Sequence, residues 1–172
     1  MTTEAHLPAD DPSRPLTVTS VDGPGARHIA LAGDIYTILV SGADTAGRYC
    51  LIDMHVLDGG GPGPHRHDFE ELFQLIEGEL EVTFRGETRL IRAPATINIP
   101  ANAPHSFRNR SGRTAHMLCL CAPAGQDEFF LAIGTPVEGP QSPLPRLSPE
   151  EQDSRRRLAL ELAPAFRTEM LG

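Results

Sequence analysis

Three histidines and a glutamate carry the chemistry in this chain: His65, His67, Glu71 and His105. They lie in Gly59-Gly60-Gly61-Pro62-Gly63-Pro64-His65-Arg66-His67-Asp68-Phe69-Glu70-Glu71 and in Pro104-His105-Ser106-Phe107. Imidazole nitrogens and a carboxylate are donors that iron, nickel, manganese, zinc and copper all accept. Side chains alternate along an extended strand, so the H-x-H spacing sends both imidazoles to one face. Glu71 can join them from the start of the next strand, and Glu70 then points the other way. Three imidazoles and one carboxylate leave one or two coordination positions of a divalent transition metal open, and open positions mark catalytic sites. Glu71 has two roles available, as ligand and as a base that takes a proton from a substrate hydroxyl.

The elements that position these residues read as short strands and turns. Leu16 to Val21 alternates, and Asp34 to Val40, Tyr49 to Leu57, Leu72 to Ile76 and Leu80 to Phe84 follow. Thr88 to Arg92, Thr96 to Ile99, His105 to Asn109 and Ala115 to Cys121 complete the series. Gly and Pro punctuate it, which predicts an all-β sandwich or barrel. Residues 1–15 read as a flexible N-terminal arm and 16–134 as the barrel. Residues 135–172 read as a Pro-rich linker plus a C-terminal helix. Gly125 to Ile133 suits a short helix. Ser148-Pro149-Glu150-Glu151 is a helix start with a capping box, and Leu158 and Leu162 would dock that helix. Arg155 to Arg157 read as a solvated face, His28 as a loop residue, and His55 and His116 as strand residues that could support the ligands.

At 172 residues with 15 basic and 23 acidic side chains, a net charge of −8, the chain suits one domain. That balance argues against nucleic acid and anionic membrane as partners. Every basic residue is arginine; with no lysine, Schiff-base and Walker-type phosphate chemistry are excluded. The composition suggests a bacterial source. Cys50, Cys119 and Cys121 lack disulfide or zinc-ribbon spacing and read as buried thiols. The N-terminus has no signal pattern and no apolar run approaches a bilayer span, so a cytoplasmic protein is expected.

Gly59, five residues, His65, one residue, His67, three residues, Glu71, six residues and Gly78 reproduce the first motif of the cupin family without a gap. Pro100, Asn102, His105 and Asn109 keep the spacing of the second, with Asn102 in a glycine position and Pro94 where the motif opens on glycine. Asn tolerates positive φ, so the turn at 102 can survive. Over roughly residues 35 to 135 the chain resembles a cupin. The resemblance implies an antiparallel double-stranded β-helix, a jelly-roll barrel of six to eight strands, with His65, His67, Glu71 and His105 as ligands and a homodimer as the assembly. Gly125, Phe129-Phe130 and Gly134-Thr135-Pro136 look like single-domain quercetin-dioxygenase-type cupins.

Phe73, Leu75, Ile97, Ile99 and Phe107 would then line an apolar pocket, with Phe129 and Phe130 as its lid or as caps on the core. Such a pocket suits a small enolic or phenolic substrate. Three activities stay open at this point. They are a metal-dependent dioxygenase, a non-oxidative isomerase, cyclase or lyase using the ion as a Lewis acid, and a ligand-binding barrel without turnover.

Overall fold

The computed structural model describes residues 7–172. Residues 1–6, the start of the expected arm, lie outside the described residues. Two antiparallel sheets face each other. The seven-stranded sheet has the order β11-β1-β2-β3-β10-β5-β8. Its strands are β1 (Arg27–Leu31), β2 (Asp34–Val40), β3 (Cys50–Val56), β5 (Glu70–Glu77), β8 (Ala95–Ile99), β10 (Ala115–Ala122) and β11 (Thr135–Val137). The five-stranded sheet, β12-β4-β9-β6-β7, holds β4 (His65–His67), β6 (Glu79–Phe84), β7 (Glu87–Arg92), β9 (His105–Arg108) and β12 (Thr168–Met170). This is the expected all-β jelly roll, with more strands than expected; three of them, β4, β11 and β12, have only three residues each.

Period-2 burial explains the strands. On β3 and β10, Cys50, Ile52, Met54 and Val56 pair against Cys121, Cys119, Met117 and Ala115, all buried. Each large apolar side chain so buried stabilises by about 1.5–3 kcal/mol, against about 0–1 kcal/mol for an exposed ion pair. Interior packing therefore fixes the sheet register. Two-residue turns with positive φ at both positions, Ala32-Gly33 and Arg85-Gly86, close the β1–β2 and β6–β7 hairpins, as the right-handed strand twist favours.

Several sequence expectations change. Residues 16–20 alternate but form no strand; Leu16 and Val18 are exposed, because no sheet edge accepts them. The first strand is instead β1, so His28 lies in a strand and its Nδ1 pairs with Thr37 Oγ1 at 2.8 Å. The Pro-rich segment after 134 opens as β11, paired with β1.

Helix α1 (Gln126–Ile133) and helix α2 (Pro149–Leu162) pack together at one end. Ser148 caps α2 through the predicted box: its hydroxyl accepts from Glu151 N–H, and the Glu151 carboxylate accepts from Ser148 N–H at 2.7 Å. Leu158 and Leu162 pack on Phe129 and Ile133 of α1. Arg155 is no solvated charge; it donates to the carbonyls of Ile133 and Gly134, which end α1. Cations at a helix C-terminus complement its dipole, and α1 has no basic residue of its own there. A 3-10 turn, Ala163–Phe166, then leads into β12.

Candidate metal centre

His65 and His67 project inward from β4, and His105 stands opposite His65 on β9. Glu71 reaches them from β5 in the other sheet, so the four donors bridge the two walls of the barrel. All four side chains are buried, and their ligand atoms lie within 4.8 Å of one another. Glu71 Oε2 is 3.1 Å from His67 Nε2 and 3.0 Å from His105 Nε2. Ligand atoms about 2.1 Å from one ion sit about 3.0–3.4 Å apart for right-angled or tetrahedral bonds, so these spacings suit a shared cation.

Backbone carbonyls set the tautomers. The Nδ1–H of His65 donates to Gly63 O at 2.9 Å, that of His67 to Phe69 O at 3.0 Å, and that of His105 to Ala103 O at 2.9 Å. A carbonyl only accepts, so each Nδ1 carries a proton and each Nε2 faces the centre; the Nε2–H of His67 and of His105 donates to Glu71, and an ion would take the place of those two protons. An Nδ1–H held by a carbonyl is the outer arrangement a metal-binding histidine uses. Phe69 stacks on His67 at 3.9 Å between centroids and fixes the ring plane.

Burial opposes the charge on Glu71, yet hydrogen bonds from His105 and His67 outweigh it and hold the carboxyl far below its ordinary range. Burial and the neighbouring His105 push His65 down to about 4, so it stays neutral and available as a ligand at pH 7. His105 is pulled the other way: burial disfavours its cation, but Glu71 raises it overall. The second carboxylate oxygen, Oε1, has partners that the spacing did not announce. Cys119 Sγ lies 3.4 Å and Cys121 Sγ 3.7 Å from it. Burial pushes the Cys119 thiol up to about 12, so it stays a donor to Glu71.

The loop ahead of β4 needs its glycine at 61. That residue has φ 118°, and a Cβ there would collide with the Phe107 carbonyl. Asn102 has φ 67° and donates from its N–H to His67 O at 2.6 Å, so asparagine does keep the second-motif turn. Glu70 is exposed and its Oε1 accepts from Ala101 N–H. The chain end adds support: β12 pairs Thr168 with His67 and Met170 with His65.

A cavity of about 520 Å³ opens beside the cluster, with His65 and Glu71 in its wall. Phe73, Phe107, Phe129 and Phe130 line it. Leu75, Ile97 and Ile99 do not; they pack in the core behind it. Phe129 also belongs to the small core between α1 and α2. Gln126 was not singled out by spacing. It lines the cavity, and its Oε1 is buried without a hydrogen-bond partner. Its signal is the only uncharged amide at the start of α1. His55 and His116 do not support the ligands. They face away from the barrel interior and meet Asp53, at 3.2 Å and 2.6 Å.

Residues 52–121 match the cupin domain family. The chain is 30% identical over 138 residues to quercetin 2,3-dioxygenase of Bacillus subtilis (strain 168), covering 77% of this chain and 39% of that protein. It is 35% identical over 94 residues to polyketide synthase CurC of Streptomyces cyaneus, covering 53% of this chain and 60% of that protein. The chain thus spans less than two thirds of the length of either curated relative. The solved structure of the polyketide cyclase RemF from Streptomyces resistomycificus superposes with a TM-score of 0.54 at 21% identity, covering 82% of this chain and 93% of that one. With two antiparallel sheets closed around converging imidazoles and the first motif intact between β3 and β5, the chain belongs to the cupin family.

Proposed function

We propose that the chain is a metal-dependent enzyme acting on a small, flat enolic or phenolic compound, as a dioxygenase. The observation that carries the reading is the donor cluster set in the wall of an aromatic-lined cavity. His65, His67, Glu71 and His105 would hold one divalent transition ion, whose Lewis acidity would polarise a substrate oxygen. Glu71 would take the enol or phenol proton at Oε2. Cys119 and Cys121 would keep the carboxylate aimed through Oε1. Phe73 and Phe107, edge-to-face at 5.5 Å, would offer a flat surface and exclude water. The side-chain amide of Gln126 would bond a second substrate hydroxyl.

Similarity to a quercetin 2,3-dioxygenase supports the oxidative chemistry. Similarity to a polyketide synthase protein favours one second reading, a non-oxidative cyclisation of an enolisable poly-β-ketone chain at the same site. Oxygen uptake separates them. Metal-loaded protein given flavonols and enolic polyketide analogues should consume dioxygen in step with substrate. Substrate loss without oxygen uptake would favour the cyclase, and no turnover at all would contradict both. Glu71→Gln should lower kcat about 10²–10⁴-fold, while Gln126→Leu should chiefly raise KM.

The expected homodimer remains part of the proposal, supported by exposed Leu16, Val18, Ile76 and Leu90. Light scattering on the full chain tests it.

A further inference from the structure

Asp53 and His55 on β3, and His116 on β10, form a cluster with no part in the barrel interior. Their neighbours Ile52, Met54, Val56, Ala115 and Met117 point into the core, so alternation turns these three to the outer sheet face. His116 is the register partner of His55, and the two rings stack at 4.7 Å with 28° between planes. Asp53 Oδ2 is 2.6 Å from His116 Nε2, and Oδ1 is 3.2 Å from His55 Nε2. We infer that Asp53, His55 and His116 form a second site for a divalent transition ion, reached from solvent and separate from the barrel.

Four observations carry it. The three ligand atoms lie within 4.8 Å of one another. Two imidazoles and a carboxylate on one side leave the remaining positions to water, a donor set that zinc, nickel and copper accept and that magnesium or calcium does not prefer. The Asp53 side chain is only 4% exposed. Yet its Oδ1, despite the nearby Nε2, has no hydrogen bond of acceptable angle. A buried carboxylate oxygen without a partner is costly and calls for a cation or a donor. Among the described residues the ion-pair partners of Asp53 are these two imidazoles, with no arginine. Stacked rings repel when both are protonated, so histidine charge is a poor answer to that need. One metal ion between the rings and the carboxylate removes the repulsion and pairs the orphaned oxygen. Finally, the imidazoles are 24% and 28% exposed, so an ion and its waters can enter.

The test is Zn²⁺ titration of the metal-stripped full chain, read as equivalents bound, for wild type and four variants. His55→Gln and His116→Gln remove the outer site, Asp53→Asn removes its charge, and His105→Ala disables the inner cluster. Each variant is first checked for a cooperative melt. Wild type should bind two equivalents, His55→Gln and His116→Gln one each, and His105→Ala should keep the outer one. Asp53→Asn should weaken that outer equivalent at least tenfold. If wild type binds one equivalent that His105→Ala keeps and His116→Gln loses, the outer site stands and the barrel reading fails. If the His55 and His116 variants bind as much Zn²⁺ as wild type, the trio is a plain ion-pair network and the inference is overturned.

Discussion

At the scale of single residues, the cluster converges because each donor side chain is held from behind. Three backbone carbonyls take the three Nδ1 protons, and two thiols share Glu71 with two imidazoles. The pairing of His65, His67 and Glu71 was legible because H-x-H-x3-E is local, whereas His105 joins them only through the pairing of β9 with β4. The Asp53 trio was not legible, because it depends on the register of β3 against β10, and no spacing encodes that. Cys119 and Cys121 are the buried thiols expected, but their contacts with Glu71 need the pairing of β10 with β5, and the place of Gln126 in the cavity needs the docking of α1. One residue behind the glycine loop ahead of β4 makes a pH test. Burial drives Asp34 up to about 7, against hydrogen bonds from Leu57 N–H and the Tyr36 hydroxyl. Its folded pKa lies above its unfolded value near 3.8. Between those values the unfolded chain has lost a proton that the folded chain keeps, so stability from this group falls as pH rises from about 4 to about 7. In Asp34→Asn that decline should flatten, as measured by denaturant midpoints across this range.

Among the elements, the long central strands were legible from alternation and turns, and β2, β3, β6 and β10 lie where those patterns put them. The misses are of two kinds. Strands β11 and β12 have three residues each, too few to display a period. The stretch 16–20 has the period but no partner edge, and pairing rather than pattern makes a strand. The unannounced β12 matters most, because it lies against the strand that carries His65 and His67. Arg66–Glu169 at 2.6 Å is exposed and adds at most about 1 kcal/mol; the backbone ladder does the holding. Deleting residues 168–172 should loosen β4 and weaken metal affinity about 10–100-fold, as outer support of ligands does. Competition with a chelator reads this, and unchanged affinity would show that β9 alone suffices. Asn102→Gly should shift stability by less than about 0.5 kcal/mol, since both residues accept positive φ.

For the whole molecule, the two sheets close a barrel with an apolar interior, and the helical end piece walls one side of the cavity. No helix among the described residues is long and apolar enough to cross a membrane. The barrel carries the donor cluster, and the α1–α2 cap, tied by Arg155, contributes Gln126 to the cavity. The central claim is that four side chains from both sheets hold one cation. A crystal of the metal-loaded chain, with anomalous diffraction at the metal edge, tests it directly. A peak is expected about 2.0–2.2 Å from Nε2 of His65, His67 and His105 and from a Glu71 oxygen. Loaded crystals with no peak there, and Glu71 still hydrogen-bonded to His67 and His105, would contradict it.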